Sequence, residues 1–127
     1  MKTHAMKFEL KDDEVGKVLW NGTVTMKVPL NHERLALMTK HGVHRLKQVD
    51  QKKLKTPEGR AELFEDRVQI LSPLYGEIRH LIQDVELHGP EGQKVKGLEE
   101  FETHPELTHG FMVVALQYCE GFGPGKA

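Results

Sequence analysis

Residues 57–88 read PEGRAELFEDRVQILSPLYGEIRHLIQDVELH, and their pattern sets the architecture expected of the whole chain. Apolar side chains recur here at alternating spacings of four and three residues, which is a 3.5-residue repeat held for three heptads. The preceding Thr56-Pro57 pair is typical of a helix start, because the hydroxyl caps free N–H groups and proline suits the first turn. The pattern predicts a long amphipathic helix with the apolar stripe Phe64, Val68, Leu71, Tyr75, Ile78, Ile82 and Val85.

Two features leave the extent of this helix open. Pro73 lies opposite the apolar stripe. Its missing N–H predicts a bend in one continuous helix, at a cost of about 3 kcal/mol. The alternative is two shorter helices that meet at Ser72-Pro73. Residues 89–92, GPEG, are typical of a turn between the short segments 85–88 and 93–96. If those segments form a ribbon, the helix ends before Asp84.

Upstream, residues 1–30 are typical of β-structure. Apolar and charged residues alternate in residues 6–10, as a strand with one buried face requires. Residues 17–28, KVLWNGTVTMKV, contain Asn21-Gly22 between β-formers, which is the strongest short signal for a hairpin with a type I′ turn. We therefore predict an N-terminal β-hairpin or small antiparallel sheet that turns at Asn21-Gly22.

The other predicted elements are helical. Asn31 is positioned to cap a first helix whose apolar face is Leu35, Met38, Gly42, Leu46 and Val49. A short turn of helix is expected over residues 98–101. The last helix is expected to begin near His104-Pro105 and to stop at Gly121, the residue type that most often ends helices.

The predicted fold class is therefore α+β, with a mainly helical body of long amphipathic helices after the β-rich start. The chain of 127 residues is the size of one domain. We divide that single domain, residues 1–127, into a β-rich part (1–30), a helical part (31–88), and a final part (89–127) containing a ribbon, the last helix and a flexible tail.

Composition narrows the class of protein. Hydrophobic residues make up 38% and charged residues 29%, which is too apolar for a disordered chain. The formal net charge of −1 provides no global attraction for nucleic acid or a membrane. A lone cysteine, Cys119, excludes an internal disulfide, and the first residues, MKTHAMKFELKDDE, lack the apolar core of a signal peptide. We expect a cytoplasmic protein, whether of a cell or of an infected host.

Signals for catalysis are weak in this sequence. The chain has one serine, Ser72, and no G-x-S-x-G elbow, while Cys119 lies beside Glu120, whose charge disfavours the thiolate. Glu99, Glu100 and Glu102 are better explained as a charged surface than as an acid–base pair. We therefore expect no enzyme activity, no catalytic residues and no cofactor.

A metal site is the alternative that the histidines suggest. His80, Asp84 and His88 are spaced by four residues, so a continuous helix would stack these N and O donors on one side. A small metal-dependent enzyme using these three residues is therefore the main competing hypothesis. The simpler interpretation is a solvated helix end.

Charge is distributed unevenly along the chain. Residues 33–60 contain eight Lys or Arg against three Asp or Glu, whereas residues 84–106 contain seven Asp or Glu against two Lys. Such a pair of segments suits self-association or docking within the chain. The basic segment lacks aromatic residues for base stacking, which argues against nucleic-acid binding.

The order of elements resembles that of small morphogenesis proteins of tailed phages and prophages, of the tail assembly chaperone type. The resemblance rests on VTMKVPLNHERLALM, then the acidic LEEFETHPEL, then a helix closing on GFGPGK. It implies a non-enzymatic protein that holds an aggregation-prone partner during tail assembly, as an oligomer or through a protein partner. The expected partner-binding residues are Phe111, Met112, Phe122, Tyr75 and Leu74. A virion structural component of the neck, tail or capsid surface and a regulatory inhibitor docking on a larger complex are the alternatives.

Overall fold

The computed structural model describes residues 2–12 and 16–121, and within them the chain forms four strands and four α-helices. The α+β prediction is confirmed. The strands are β1 Thr3–Lys11, β2 Val18–Lys27, β3 Ile82–His88 and β4 Lys94–Lys96. The helices are α1 Asn31–Lys40, α2 Pro57–Ile78, α3 Leu98–Thr103 and α4 Gly110–Cys119.

The strands form one antiparallel sheet in the order β1-β2-β3-β4. Neighbouring strands are consecutive in sequence, but α1 and α2 lie between β2 and β3. The helical part of the chain is thus an insertion between two strands that pair with each other.

One face of the sheet is buried. Alternate residues point into a single core shared with the helices, because successive side chains of a strand leave on opposite faces. Exposed polar side chains such as Lys7, Thr23 and Glu86 lie on the other face. The sheet residues with at most 8% exposure are Met6, Phe8, Trp20, Val24, Met26, Ile82, Val85, Leu87 and Val95.

The predicted turn at Asn21-Gly22 is wrong. Both residues lie inside β2, where Gly22 is paired with Phe8 on one side and Leu87 on the other. Glycine is needed there for close approach, since a Cβ at Gly22 would lie 2.1 Å from the Glu86 carbonyl oxygen. The hairpin itself exists, but its two strands are joined between Lys11 and Val18.

The first helix is shorter than predicted. It ends at Lys40, and Gly42 adopts a left-handed φ of 66°, a conformation that terminates helices. Residues Val43–Lys47 continue as a 3₁₀ turn. The helical spacing of apolar residues therefore continues past Gly42, although the helix itself ends before this glycine.

The long helix α2 begins as predicted and passes through Pro73. The Thr56 hydroxyl accepts a hydrogen bond of 3.0 Å from the Gly59 N–H, which confirms the capping prediction. Pro73 is exposed, so the Gln69 carbonyl that loses its helical donor is on a side open to water.

The helical part of the chain is shorter than the predicted range of 31–88. After α2, residues Arg79–Leu81 form a 3₁₀ turn and β3 begins at Ile82. The ribbon interpretation of residues 85–96 is confirmed, because β3 pairs with β4.

The C-terminal elements follow the predicted order. The expected short helix is α3, Pro105–Leu107 form a 3₁₀ turn rather than the start of the last helix, and α4 is followed by Gly121 with a φ of 75°. The predicted flexible tail and Phe122 lie outside the described residues. None of the described helices combines the length and apolarity that a membrane crossing needs.

Candidate functional site: a groove beside helix α2

The two halves of α2 differ in burial. Its second half supplies Ile70, Leu71, Leu74, Tyr75 and Ile78 to the core. Its first half has one buried residue, Gly59, although the apolar stripe continues there through Leu63, Phe64 and Val68. Phe64 is 37% exposed. An amphipathic face is therefore present on the first half of α2 without a complete cover.

The chain before α2 folds back against this first half. A Cβ at Gly59 would lie 2.2 Å from the Lys53 carbonyl oxygen, so only glycine lets the helix approach the turn Lys53–Lys55 so closely. Arg60 donates a hydrogen bond of 3.0 Å to the Leu54 carbonyl oxygen. These contacts place residues 45–54 along one side of α2, with Leu54 44% exposed.

Between α2, residues 45–54, α4 and the ends of β1 and β2 lies an open groove of about 1490 Å³, which we call the α2–α4 groove. Its apolar lining comes from all of these elements. The apolar lining residues are Leu10, Leu19, Leu46, Val49, Leu54, Leu63, Phe64, Ile70, Met112, Val113 and Leu116.

Charged side chains also line the groove. Lys11 and Glu9 form an ion pair of 3.7 Å with each other, and Glu9 also pairs with Lys7 at 2.8 Å. The other cations are Arg45, Arg60 and Arg67, and the other carboxylates are Asp66 and Glu106.

An aromatic cluster forms the boundary between α2 and α4. The His109 ring lies 4.9 Å from the Phe64 ring in an edge-to-face arrangement and 6.5 Å from the Phe111 ring. The Phe111 ring in turn lies 5.8 Å from Tyr75. An edge-to-face contact contributes about 0.5–1.5 kcal/mol, so the contact with His109 favours the observed position of the Phe64 ring.

A polar cluster joins α2 to α3 outside the groove. Glu102 accepts hydrogen bonds from the Tyr75 hydroxyl at 2.7 Å and from Arg79 Nε at 2.7 Å. The Arg79 hydrogen bond is the main cause that lowers the pKa of Glu102, and burial is the main cause that raises the pKa of Tyr75. A carboxylate held this way joins α3 to α2 and to the turn that follows α2.

The predicted partner-binding residues are divided by the fold. Met112 is buried at 8% exposure, although it contributes to the lining of the α2–α4 groove, and Phe111 is half-buried beside a smaller pocket of about 160 Å³. Leu74 is fully buried and Tyr75 is 9% exposed, so this part of the prediction is corrected: both belong to the core. Phe122 lies outside the described residues.

The predicted metal ligands do not share a helix face. His80 lies in a 3₁₀ turn, while Asp84 and His88 lie on β3, where four residues span about 13 Å. That separation is too long for one ion bound at about 2 Å by each side chain. Across the described parts of the chain, no three His, Cys, Asp or Glu side chains converge where they could hold a metal ion.

The sequence did not point to the other side of the groove. Leu54 lies in residues 50–55, which are typical of a solvated connection, and Arg45 lies within the predicted first helix but not on its apolar face. The available signal was on α2, where Arg60 and Arg67 stand seven residues apart on either side of Leu63 and Phe64.

Comparison with known proteins adds no further identification: no family profile, curated protein or solved structure matches this chain.

Proposed function

We propose that this protein is a non-enzymatic binding and assembly protein that holds a segment of another polypeptide in the α2–α4 groove. The observation that carries the proposal is the exposed apolar lining contributed by the first half of α2 and by the turn before it. Leu54, in that turn, and Phe64, on α2, both line the groove and are 44% and 37% exposed. Removing apolar area from water contributes about 25 cal/mol per Å², so covering this lining favours association.

The size of the groove supports a polypeptide rather than a small molecule. Small-molecule sites typically enclose about 300–1,000 Å³ and bury most of the ligand. The α2–α4 groove is larger, at about 1490 Å³, and is partly open to solvent. An amphipathic helix laid into an apolar groove is a common mode of peptide recognition.

More specifically, we propose a role of the tail assembly chaperone type, in which the protein holds an aggregation-prone tail polypeptide until assembly. Two observations support this role. The sequence resembles that of small phage morphogenesis proteins in the segments quoted above, and the groove offers exposed apolar side chains for a polypeptide to cover.

An aggregation assay tests the proposal. The tail tube or tape-measure polypeptide encoded in the same genome is diluted from denaturant, and light scattering is followed with and without this protein. The wild type is expected to suppress scattering in a concentration-dependent way. Two variants, Phe64→Asp on α2 and Leu54→Asp in the turn before α2, are each expected to lose that suppression. A charge in the apolar lining opposes burial of the partner.

Ala61→Asp is the matched control, since Ala61 is exposed on the same helix and does not line the groove. It is expected to behave as the wild type. Circular dichroism and urea unfolding establish that all three variants fold. The proposal fails if the wild type leaves scattering unchanged, or if folded Phe64→Asp and Leu54→Asp suppress it as well as Ala61→Asp does.

A further inference from the structure

We propose that the occupant of the α2–α4 groove is an acidic amphipathic helix, in which two carboxylates two turns apart bracket a pair of apolar side chains. This inference rests on the proposed function and specifies the chemistry of the partner.

The spacing of the arginines on α2 sets the spacing of the carboxylates. Arg60 and Arg67 both line the groove and are seven residues apart, which is about 10.5 Å along a helix that rises 1.5 Å per residue. A helix lying alongside α2 presents carboxylates at the same separation when they occupy positions i and i+7.

The side chains between the two arginines set the apolar part of the motif. Leu63 and Phe64 line the groove between Arg60 and Arg67. Apolar residues at positions i+3 and i+4 of the partner would lie over them, between the two carboxylates. The face of α2 is thus complementary to a partner with acidic ends and an apolar centre.

The arginines of the groove are not neutralised by the protein itself. Within residues 2–12 and 16–121, ion pairs join Lys11 to Glu9 and Lys53 to Glu62, but none involves Arg45, Arg60 or Arg67. The side-chain hydrogen bonds of Arg45 and Arg60 go to backbone carbonyl oxygens. A guanidinium with free N–H groups is suited to bidentate binding of a carboxylate.

The acidic lining residues do not cancel this preference. Glu9 is already paired with two lysines, and Glu106 lies in the turn Pro105–Leu107 rather than on α2. Asp66 is the one carboxylate that α2 contributes to the lining, against the two arginines Arg60 and Arg67. The lining residues of α2 therefore carry one net positive charge.

A polyanion such as single-stranded nucleic acid fits this surface less well than an acidic helix does. Nucleic-acid grooves combine many cations with several stacking aromatic rings. The α2–α4 groove has one phenylalanine, Phe64, and one histidine, His109, as the aromatic side chains of its lining, and the chain has a net charge of −1.

Fluorescence anisotropy with two designed helical peptides tests the inference on the full chain. The acidic probe has Glu at i and i+7 and Leu at i+3 and i+4, and the matched probe has Lys in place of both Glu residues. The acidic probe is expected to bind about tenfold more tightly, with a preference that weakens as salt is raised. The double variant Arg60→Gln, Arg67→Gln is expected to bind both probes equally.

Lys47→Gln is the control, because Lys47 is an exposed cation of the neighbouring turn that does not line the groove. It should keep the preference for the acidic probe. Equal binding of both probes to the wild type, a preference that survives the double arginine variant, or tighter binding of an oligothymidylate than of the acidic probe would overturn the inference.

Phe64→Asp separates this inference from the proposed function. If both probes bind equally and both are weakened by Phe64→Asp, the groove binds helices and only the acidic preference is refuted. If neither probe binds, or if Phe64→Asp has no effect on either, the inference and the proposed use of the groove fail together.

Discussion

The Arg34 guanidinium donates a hydrogen bond of 2.8 Å to the carbonyl oxygen of Cys119, a residue 85 positions away in the sequence. The last carbonyls of a helix have no partner within it, so Arg34 of α1 satisfies one at the end of α4. No residue of α1 is fully buried. Leu37 and Met38 pack against the core half-buried, and polar contacts, including those of Lys40 and His41 with Glu77, add to the attachment of α1.

Replacing Arg34 tests this attachment. Arg34→Ala is expected to lower the free energy of unfolding by about 1–2 kcal/mol, because a charged hydrogen bond is lost and a helix-end carbonyl loses its partner. Urea unfolding followed by circular dichroism measures the change. Lys47→Ala, at an exposed lysine, is the control, and a loss for Arg34→Ala no greater than that of the control would contradict the capping role.

Gly22 and Gly76 are expected to respond to alanine with opposite signs. At Gly22 the new Cβ would lie 2.1 Å from the Glu86 carbonyl oxygen, so Gly22→Ala should lower the free energy of unfolding by about 2 kcal/mol or more. At Gly76, inside α2, nothing lies within 4 Å of the new Cβ. Gly76→Ala should therefore stabilise by about 0.5–1 kcal/mol, because alanine loses less backbone entropy in a helix.

Thermal and urea unfolding of the two glycine variants measure these changes. Each variant serves as the control for the other, since both add one methyl group. Unchanged stability in Gly22→Ala would mean that β2 and β3 do not approach each other as closely as the structure places them.

Glu102 is expected to make stability depend on pH in the acidic range. The Arg79 hydrogen bond, chiefly, holds the pKa of Glu102 below its ordinary value of 4.5. A carboxyl with a lower pKa in the folded state stabilises the fold above the unfolded-state pKa, and this contribution is lost as pH falls through the folded-state pKa. Wild type should therefore be more stable than Glu102→Gln near pH 7, and the difference should shrink steadily below about pH 4.5.

Urea unfolding at a series of pH values measures that difference. Glu99→Gln is a suitable control, because Glu99 is an exposed carboxylate on the same helix. The interpretation is refuted if the gap between wild type and Glu102→Gln stays constant from pH 7 to pH 3, or if Glu99→Gln shows the same pH dependence.

The cap at Thr56 is expected to stabilise the groove wall. Thr56→Ala removes the acceptor for the Gly59 N–H and should cost about 1 kcal/mol of unfolding free energy. In Thr56→Ala, the amides of the first turn of α2 should exchange hydrogen faster than in the wild type, whereas the amides of the buried second half should exchange at the wild-type rate. Thr56→Ser keeps the hydroxyl and should restore both properties, so an equal loss in both variants would rule out capping as the cause.

The Cys119 thiol is expected to react slowly in the folded protein. Burial raises its pKa to about 11, so little thiolate is present near pH 8. Because the chain has one cysteine, the absorbance change on reaction with an aromatic disulfide reports on this residue alone. Reaction of the native protein should be at least about tenfold slower than that of the urea-unfolded protein, and equal rates would refute burial of the thiol.

Local chemistry was the most predictable part of the fold. The Thr56-Pro57 start of α2 and the glycine after α4 depend on contacts within a few residues, so the sequence determined them. The helical spacing of Leu71 and Ile78 predicted that both belong to the buried face, and both are buried in the core. The α+β class followed from the two periodicities, two in the strands and about 3.6 in the helices.

Predictions failed where a local signal competed with a distant partner. Asn21-Gly22 is a strong turn signal, but β2 is paired on both sides through these residues, and those ladders outweigh a local turn. Ile82 and Val85 fit the helical spacing of the apolar stripe, but in the structure they lie on the buried face of β3. Spacings of three and four cannot by themselves exclude a strand with a register irregularity, such as the shift opposite Thr25 and Met26.

The sequence alone therefore determined which side chains seek burial, including Leu63 and Phe64 in the same stripe as Leu71. Only the tertiary structure decided that the stripe is covered at one end and open at the other. The physical reason is length: α2, with 22 residues, spans about 33 Å, whereas α4, with ten, spans about 15 Å. Because α4 cannot cover the whole of α2, the remaining apolar face becomes one wall of the groove.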